Sequence, residues 1–515
     1  MLRIDEIKIY QDLDDKQLYK IALKKANIKS DDLLSIKIVK KAIDSRDKNN
    51  VHYVYSFDVE VKDEKKYPRI KKVVYKQDQI IVNRVSNYQP IIVGSGPAGL
   101  FCALELVQQG FKPIIIEQGK AVDERIKDVN EARQQGKINP KSNVQFGEGG
   151  AGTFSDGKLT TNVNSPYIKK ILDTFVCFGA EKEISYLAKP HLGTDKLVEI
   201  VKNIRNYIIS KGGQYYFETQ FIDYHYQDKL LEVITDKQNF LTDALVLAIG
   251  HSGFDTFKML QKKNIKLQRK IFAIGLRIEH QQNMINESQY GTITKLKLPP
   301  ADYKLVYHGD RSCYSFCMCP GGEVIASSSE KEAIVTNGMS NFAREKENAN
   351  SALLVNVLPS DLSGDDPLAG MYLQRELEHQ AFVYGGSNYN APVQRVKDFE
   401  DNIPSVKIGS VVPSYKPGYT LTNLNDFLPP YISQTIKDAL PYFDKKIKGF
   451  NKPDAILTAI ETRSSSPVTI VRDATYQCSQ PLIYPCGEGA GYAGGITTAA
   501  IDGIKVARAI MERKD

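Results

Sequence analysis

Polar and apolar positions alternate in LRIDEIKIY at the start of the chain, which predicts a strand with one buried face. From Asp14 to Ile28 the spacing becomes helical, with Leu18, Ile21, Ala22 and Ala26 on one side. LLSIKIVKKAID and VHYVYSFDVEV follow as strands separated by the polar turn SRDKNN, so this segment reads as a small β-α-β-β unit. The lysine-rich stretch from Lys62 to Lys76 closes it.

After Tyr88 the pattern changes. An apolar run ending at Val93, a glycine turn, a helical stretch from Gly99 to Gln109 and a second apolar run, FKPIIIEQG, make a βαβ unit. TDKLVEIVKNIRNYIISKGGQYYFET predicts a helix capped at Thr194, a glycine stop and a strand; KLLEVITD and DALVLAIG read as two more strands. Between about residues 271 and 440 helical patterning falls away and short β-like runs alternate with Gly, Pro, Ser and Asn clusters, as expected of a separate substrate or cap domain. PLIYPCGEGAGYAGG and ITTAAIDGIKVARAIME then restore a strand, a glycine turn and a small-residue helix.

Length and composition change this picture little. A chain of 515 residues holds more than one core, and 42% hydrophobic with 25% charged residues is ordinary for a soluble globular protein. No export signal is read after Met1, and the glycines, Pro97 and Glu105 within Pro90 to Val107 argue against a membrane span. Seven scattered cysteines fit a reducing, cytoplasmic setting, and no zinc-type spacing or other metal site is expected. Residues 1 to 88 carry 20 Lys/Arg against 14 Asp/Glu, most of the formal net charge of +7. That excess raises an RNA-docking surface as one reading, but the acids are interleaved with it and stacking aromatics are few, so a solvated lysine face is preferred.

The chemistry concentrates in glycine turns. In IIVGSGPAGLFCALELVQQGFKPIIIEQG, Gly94 suits a tight turn, Gly96 a close backbone approach to a pyrophosphate, and Gly99 the packing of helix on strand. Glu117 ends the second strand 21 residues beyond Gly96, where a carboxylate can accept from ribose hydroxyls. Arg125 can neutralise pyrophosphate charge or form a surface ion pair. NAD and FAD share this fingerprint. At the carboxy end, Gly487 and Glu488 follow a strand, and Gly494 and Gly495 precede a helix, which suits a ribityl hydroxyl and the N1/O2 edge of a flavin. A second G-x-G-x-x-G, Gly147 to Gly152 in FGEGGAGTFSDGKL, has neither a strand before it nor a helix after it, and is a decoy as a dinucleotide fingerprint.

The blocks VGSGPAGL, NVQFGEGGAGTFSDGKLTT, PHLGTDKL, AIGHSGFDTF, AIGLRIEH, YSFCMCPGG, NANSALLV, ETRSSSPV and YPCGEGAGYAGGITTAAIDGIKVA together resemble the bacterial FAD-dependent dehydrogenases of the glutathione-reductase-like superfamily. The likeness runs from about residue 88 to the end and is looser before it. Such proteins often have Ala-Arg after the GHS block; Gly253-Phe254 stands there, and no role is carried over to it. The resemblance implies an α/β fold: a Rossmann-like FAD-binding domain of glutathione-reductase type, discontinuous over 86–270 and 441–515. An inserted β-rich substrate or cap domain (271–440) and a small basic N-terminal α+β domain (1–85) complete it. It also implies FAD contacts at Gly94, Ser95, Gly96, Pro97, Ala98 and Gly99 (pyrophosphate), Glu117 and its neighbour Gln118 (adenosine ribose), Gly250 (adenosine half), Gly487 and Glu488 (ribityl), and Gly494, Gly495 and Ile496 (pyrimidine edge). The second glycine loop, with Gly152 and Thr153, is then expected against the isoalloxazine.

The expected function is an FAD oxidoreductase passing a hydride between a small-molecule substrate and flavin N5, with an external electron donor or acceptor and NAD(P)H as a candidate donor. The alternatives are an NAD(P)H-dependent flavin monooxygenase and, from another class, an RNA-associated flavoprotein. Weak catalytic candidates are Lys158 and Asp156, which either orient an acidic substrate or a reduced ring, or pair with each other to fix their loop. His251, Arg463 and Cys317 are further candidates. The Cys317/Cys319 pair is read as packing, because its C-x-C spacing is not that of flavin disulfide reductases, and His251, His280 and Arg463 as structural hydrogen-bonding groups.

Overall fold

The computed structural model describes residues 1–75 and 79–513; Lys76 of the linker stretch and the last two residues of the 441–515 segment lie outside them. The N-terminal segment forms a four-stranded antiparallel sheet in the order Leu33–Asp44, His52–Val61, Leu2–Ile9, Lys71–Lys72. The helix Asp15–Lys25 covers it, opened by a capping box between Asp14 and Gln17. Leu18 and Ala22 of the predicted face are buried under this helix, whereas Ile21 is 38% exposed, one position round from the stripe that meets the sheet.

A five-stranded parallel sheet follows, in the order Ile483–Pro485, Leu245–Leu247, Ile91–Val93, Ile114–Ile116, Gln214–Tyr216. One edge strand thus comes from the far end of the chain. The central strands read IIV, III and LVL because both of their faces are buried. Ile92, Ile115 and Val246 face the helices Pro97–Gln108, Gly193–Ser210 and Ile496–Glu512. Their neighbours Ile91, Val93, Ile114, Ile116, Leu245 and Leu247 face a three-stranded antiparallel sheet, Phe221–Gln227, Leu230–Thr235 and Asn239–Thr242. LLEVIT therefore joins the antiparallel layer, and its alternating burial shows why. Gly503 lets the C-terminal helix touch the first: a Cβ there would stand 2.1 Å from the Ala98 carbonyl oxygen.

The third unit is a seven-stranded sheet in the order Val306–His308, Ser312–Cys319, Asn348–Val357, Phe272–Gln281, Ile456–Glu461, Ala391–Arg395, Tyr419–Leu421. It departs from the sequence expectation in two ways. Ile456–Glu461, expected in the 441–515 part of the FAD-binding domain, pairs with Phe272–Gln281 and Ala391–Arg395; a short, wholly buried apolar strand reads the same in either sheet. The 271–440 segment also holds two long helices, Ala369–Tyr384 and Pro430–Asp444, which supply Leu377, Ala381, Ile432, Ile436 and Leu440 to the core of this unit. Gly370, Pro430 and Pro441 obscured their periodicity. A two-stranded ribbon, Leu267–Arg269 with Val468–Ile470, joins this unit to the parallel sheet. No helix among the described residues is long and apolar enough to cross a membrane.

Candidate functional site

The first glycine turn leaves the strand Ile91–Val93 and enters the helix Pro97–Gln108 with Gly96 at its N-cap and Pro97 in the first turn. Each glycine meets a different constraint. Gly94 has φ +100°, and a Cβ on it would lie 2.2 Å from the Ala248 carbonyl oxygen; a Cβ on Gly99 would lie 2.0 Å from that of Gly94. Gly96 is more open: a Cβ on it would have only the Gly150 Cα within 4 Å, at 3.8 Å. The unpaired N–H groups of the helix end beside it form an anion-binding terminus.

The second glycine loop lies across this turn. The Glu117 carboxylate accepts from the backbone N–H of Ser95 (2.9 Å), Gly119 (2.9 Å) and Gly147 (3.0 Å). Gly149 N–H donates to the Ser95 carbonyl at 2.8 Å, and a Cβ on Gly150 would come within 3.0 Å of the Gly96 Cα. Arg125 is wholly buried beneath the loop, with Nε donating to Asn143 O, Nη1 to Glu148 O and Gly150 O, and Nη2 to Val144 O, at 2.6–3.0 Å. Burial lowers its pKa to about 10, partly opposed by Glu117 and Glu148, so it stays charged at neutral pH. Glu148 Oε2 accepts from Val122 N–H (2.7 Å), at the start of the helix Val122–Gln135, and from Arg205 Nη1 (2.6 Å), while Oε1 is buried without a hydrogen-bond partner. Burial outweighs both partners and raises the pKa of this carboxyl to about 7.

A cavity of about 1040 Å³ runs along the ends of the parallel strands and on to the seven-stranded sheet. Gly94 to Ala98, Glu117, Gln118, Gly152, Gly250, Glu488 and Gly494 to Ile496 line its first part. Gly250, Gly494 and Gly495 have open space where a Cβ would project, and the Ser95 hydroxyl is buried there without a hydrogen-bond partner. Four expected contact residues do not line this cavity. Gly99 packs helix on strand, as its spacing suggested. Arg125 spends four of its five N–H donors on loop carbonyls and is wholly buried off the cavity. Thr153 lies behind Gly149, and Gly487 N–H donates to Asp502 Oδ2 (2.7 Å) with its Cα against Ala98. The loop expected against an isoalloxazine thus crosses the first glycine turn at Gly147 to Gly150 and reaches the C-terminal helix at Gly152, where a Cβ would meet Ile496 at 2.9 Å, and at Leu159, whose carbonyl accepts from Thr497 Oγ1 at 2.8 Å.

All five catalytic candidates line the cavity, yet most are already engaged. Asp156 accepts from Arg344 Nε (2.9 Å) and Nη2 (2.5 Å), not from Lys158. Arg463 donates to Glu378 at 2.6 and 2.8 Å. His251 Nδ1 lies 3.3 Å from Glu488 Oε1, and its Nε2 is buried without a hydrogen-bond partner. His280 is away from the cavity, its Nε2 on the Phe450 carbonyl at 2.7 Å. Cys317 is not a packing residue. It has φ +42° at a bulge in Ser312–Cys319 and lines the cavity, and its carbonyl accepts from Arg277 Nη1 (2.8 Å) and the Cys319 thiol (3.2 Å). The Cys319 thiol beside it, then Arg277 and Lys158, hold the Cys317 thiol below the usual range against the effect of burial.

The wall on the side of the seven-stranded sheet adds residues beyond the sequence-predicted site. Glu461 and Asn337 grip the buried Arg277, and Lys189, Asp302, Tyr303, Lys304, Phe316 and Met318 complete the wall. Arg277, Glu461, Phe316 and Met318 lie inside the blocks that carry the family resemblance; the others have no local signal.

Comparison with known proteins places a family described as FAD binding domain on residues 89–125, the stretch of the first glycine turn and Glu117. One described as FAD-dependent protein, C-terminal domain-like, matches 271–464, and a domain of unknown function matches 1–60. An "Uncharacterized protein" of Clostridium beijerinckii is 46% identical over 528 residues, covering 100% of this chain and 99% of that one. Among solved structures, CtdE in complex with FAD is 12% identical over 81% of this chain and 82% of its own, with a TM-score of 0.31. A geranylgeranyl bacteriochlorophyll reductase-like protein of Thermoplasma acidophilum is 11% identical over 82% and 78%, with a TM-score of 0.35.

Two outcomes follow from the loop geometry. Arg125→Met removes the side-chain donor of three buried carbonyls, those of Asn143, Val144 and Glu148, each of which costs roughly 1–3 kcal/mol when left unpaired. Amide hydrogen exchange over 143–150 should rise while the N-terminal sheet keeps its protection; unchanged exchange in the loop would contradict the clamp. Because folding raises the Glu148 pKa from 4.5 to about 7, its contribution to stability is full below the lower value and is lost as pH rises through the upper one. Glu148→Gln should therefore flatten the fall in thermal midpoint across that window, and identical slopes for the two proteins would count against it.

Proposed function

Because the chain belongs to one family with the Clostridium beijerinckii protein and carries an FAD-binding domain and an FAD-dependent C-terminal domain, we propose that this flavoprotein is an oxidoreductase in which a hydride passes between an organic substrate and FAD N5. The observation that supports this most is the continuity of the cavity. Its first part has the glycine surfaces, helix terminus and carboxylates that suit a dinucleotide, and its second part is walled by the seven-stranded sheet, with room for a substrate against the cofactor.

On this reading Gly96 and the N-terminus of Pro97–Gln108 receive the phosphates, and Glu117 with Gln118 faces the adenosine ribose. Glu117 keeps acceptor capacity beyond its three backbone donors. Glu488 serves the ribityl hydroxyls, with His251 Nδ1 3.3 Å from its carboxylate. The N-terminus of Ile496–Glu512 sets a partial positive charge at the far end. When bound, FAD supplies the hydride acceptor or donor; the side chains bind, orient and balance charge. NADH or NADPH is proposed as the external donor.

Purified and reconstituted with FAD, the protein should show absorption bands at about 370 and 450 nm. Under anaerobic conditions these should bleach with NADH or NADPH, or with members of a metabolite panel, and return on addition of an acceptor. Absence of the bands after reconstitution, or bands that no donor bleaches, would refute the oxidoreductase reading.

A further inference from the structure

The sequence left Lys158 two roles, a loop-fixing ion pair with Asp156 or a contact to a ligand. The structure removes the first. Both Asp156 oxygens are taken by Arg344, and among the described residues Lys158 has neither a hydrogen bond nor an ion pair for its ammonium. Its backbone is fixed nonetheless: Lys158 bridges His191 in antiparallel fashion, Leu159 N–H donates to Pro190 O (3.0 Å) and Leu192 N–H to Gly157 O (3.1 Å). Lys158 is half-buried and lines the cavity.

The charges around it do not cancel. Asp302 is matched by Lys189 at 2.6 Å, Glu461 by Arg277 at 2.5 Å, and Asp156 by Arg344 at 2.5 Å. Arg463, on the same wall, is matched by Glu378 at 2.6 Å. Each carboxylate on this wall has a cationic partner, whereas Lys158, whose charge acts on the Cys317 thiol, and Lys304 at the exposed rim have no carboxylate partner among the described residues. The same lining includes the apolar side chains of Tyr303, Phe316, Met318 and Leu187. A half-buried ammonium over an apolar wall is unfavourable when left empty, and a carboxylate on an apolar body satisfies both parts of the surface.

We infer that the substrate of the proposed oxidoreductase is an organic carboxylate, whose anionic group is received by the Lys158 ammonium and whose apolar body lies on Tyr303, Phe316 and Met318. This rests on the reading of the site as a flavin oxidoreductase and adds to it the chemical class of the substrate. A rival role for Lys158, countercharge to the flavin ring, has its own signature: Leu159 O, next in the chain, accepts from Thr497 Oγ1 at the start of the C-terminal helix (2.8 Å), so a variant that alters only the unliganded flavin spectrum identifies that role.

The test uses the FAD-loaded protein, Lys158→Met and Lys158→Arg. Each is titrated with matched acid and amide probes: benzoate with benzamide, cinnamate with cinnamamide, and hexanoate with hexanamide. Perturbation of the flavin spectrum and the shift in thermal midpoint are read independently. At least one carboxylate should bind wild type where its amide does not. Lys158→Met should weaken that binding about tenfold or more, as expected for a charge-assisted contact, while Lys158→Arg keeps most of it. The inference is overturned if no carboxylate binds, if amides bind as tightly, or if Lys158→Met binds unchanged. It is also overturned if that variant alters only the unliganded flavin spectrum. A chain that takes up no FAD defeats the underlying reading and the inference with it; a flavin-loaded chain indifferent to carboxylates defeats the inference alone.

Discussion

One carboxylate ties the site together. Glu117, at the end of a three-residue buried strand, accepts hydrogen bonds from Ser95 in the first glycine turn and from Gly119 and Gly147, the last of these in the second glycine loop. Charge-assisted bonds of this kind, in a residue only 6% exposed, are stronger than neutral ones and leave little freedom to the backbone that makes them. The second loop can lie this close only because Gly150 meets Gly96 without a side chain. Arg125 secures the loop from below, and Glu148 ties it to the start of the next helix and to Arg205. The two glycine motifs are therefore one structure, a strand-to-helix turn and the strap that crosses it.

The opposite wall is organised by buried ion pairs rather than by backbone. Arg277, wholly buried, joins Glu461, Asn337 and Asn350 and donates to the Cys317 carbonyl, so that one guanidinium fixes the bulge from which Cys317 meets the cavity. Such pairs are weak sources of stability, because desolvation offsets much of the attraction, but losing one partner leaves an uncompensated buried charge. Their effect here is to hold the polar groups of the wall in fixed places and to pair its carboxylates, which leaves Lys158 and the exposed Lys304 without a carboxylate partner among the described residues.

The glycine turns were legible because their constraints are local: Gly94, Gly96 and Gly99 are set by the strand, turn and helix that their own neighbours encode. The position of Glu117 was legible for the same reason, but not its partners, since Gly147 lies thirty residues on along the chain. Arg125 was misplaced because its acceptors are main-chain carbonyls of another segment, and main-chain acceptors leave no mark in side-chain chemistry. Ile456–Glu461 was placed with the wrong sheet because a fully buried strand has no alternation to show its neighbours. The role of Cys317 depends on a bulge created by pairing with Asn348–Val357, which the C-x-C spacing alone does not reveal.

On the proposed function, the two glycine motifs build a single dinucleotide site. Titration of the apoprotein with FAD by calorimetry should then give one FAD per chain in a single binding phase. A stoichiometry of two, or a second phase that survives disruption of the first glycine turn, would contradict it.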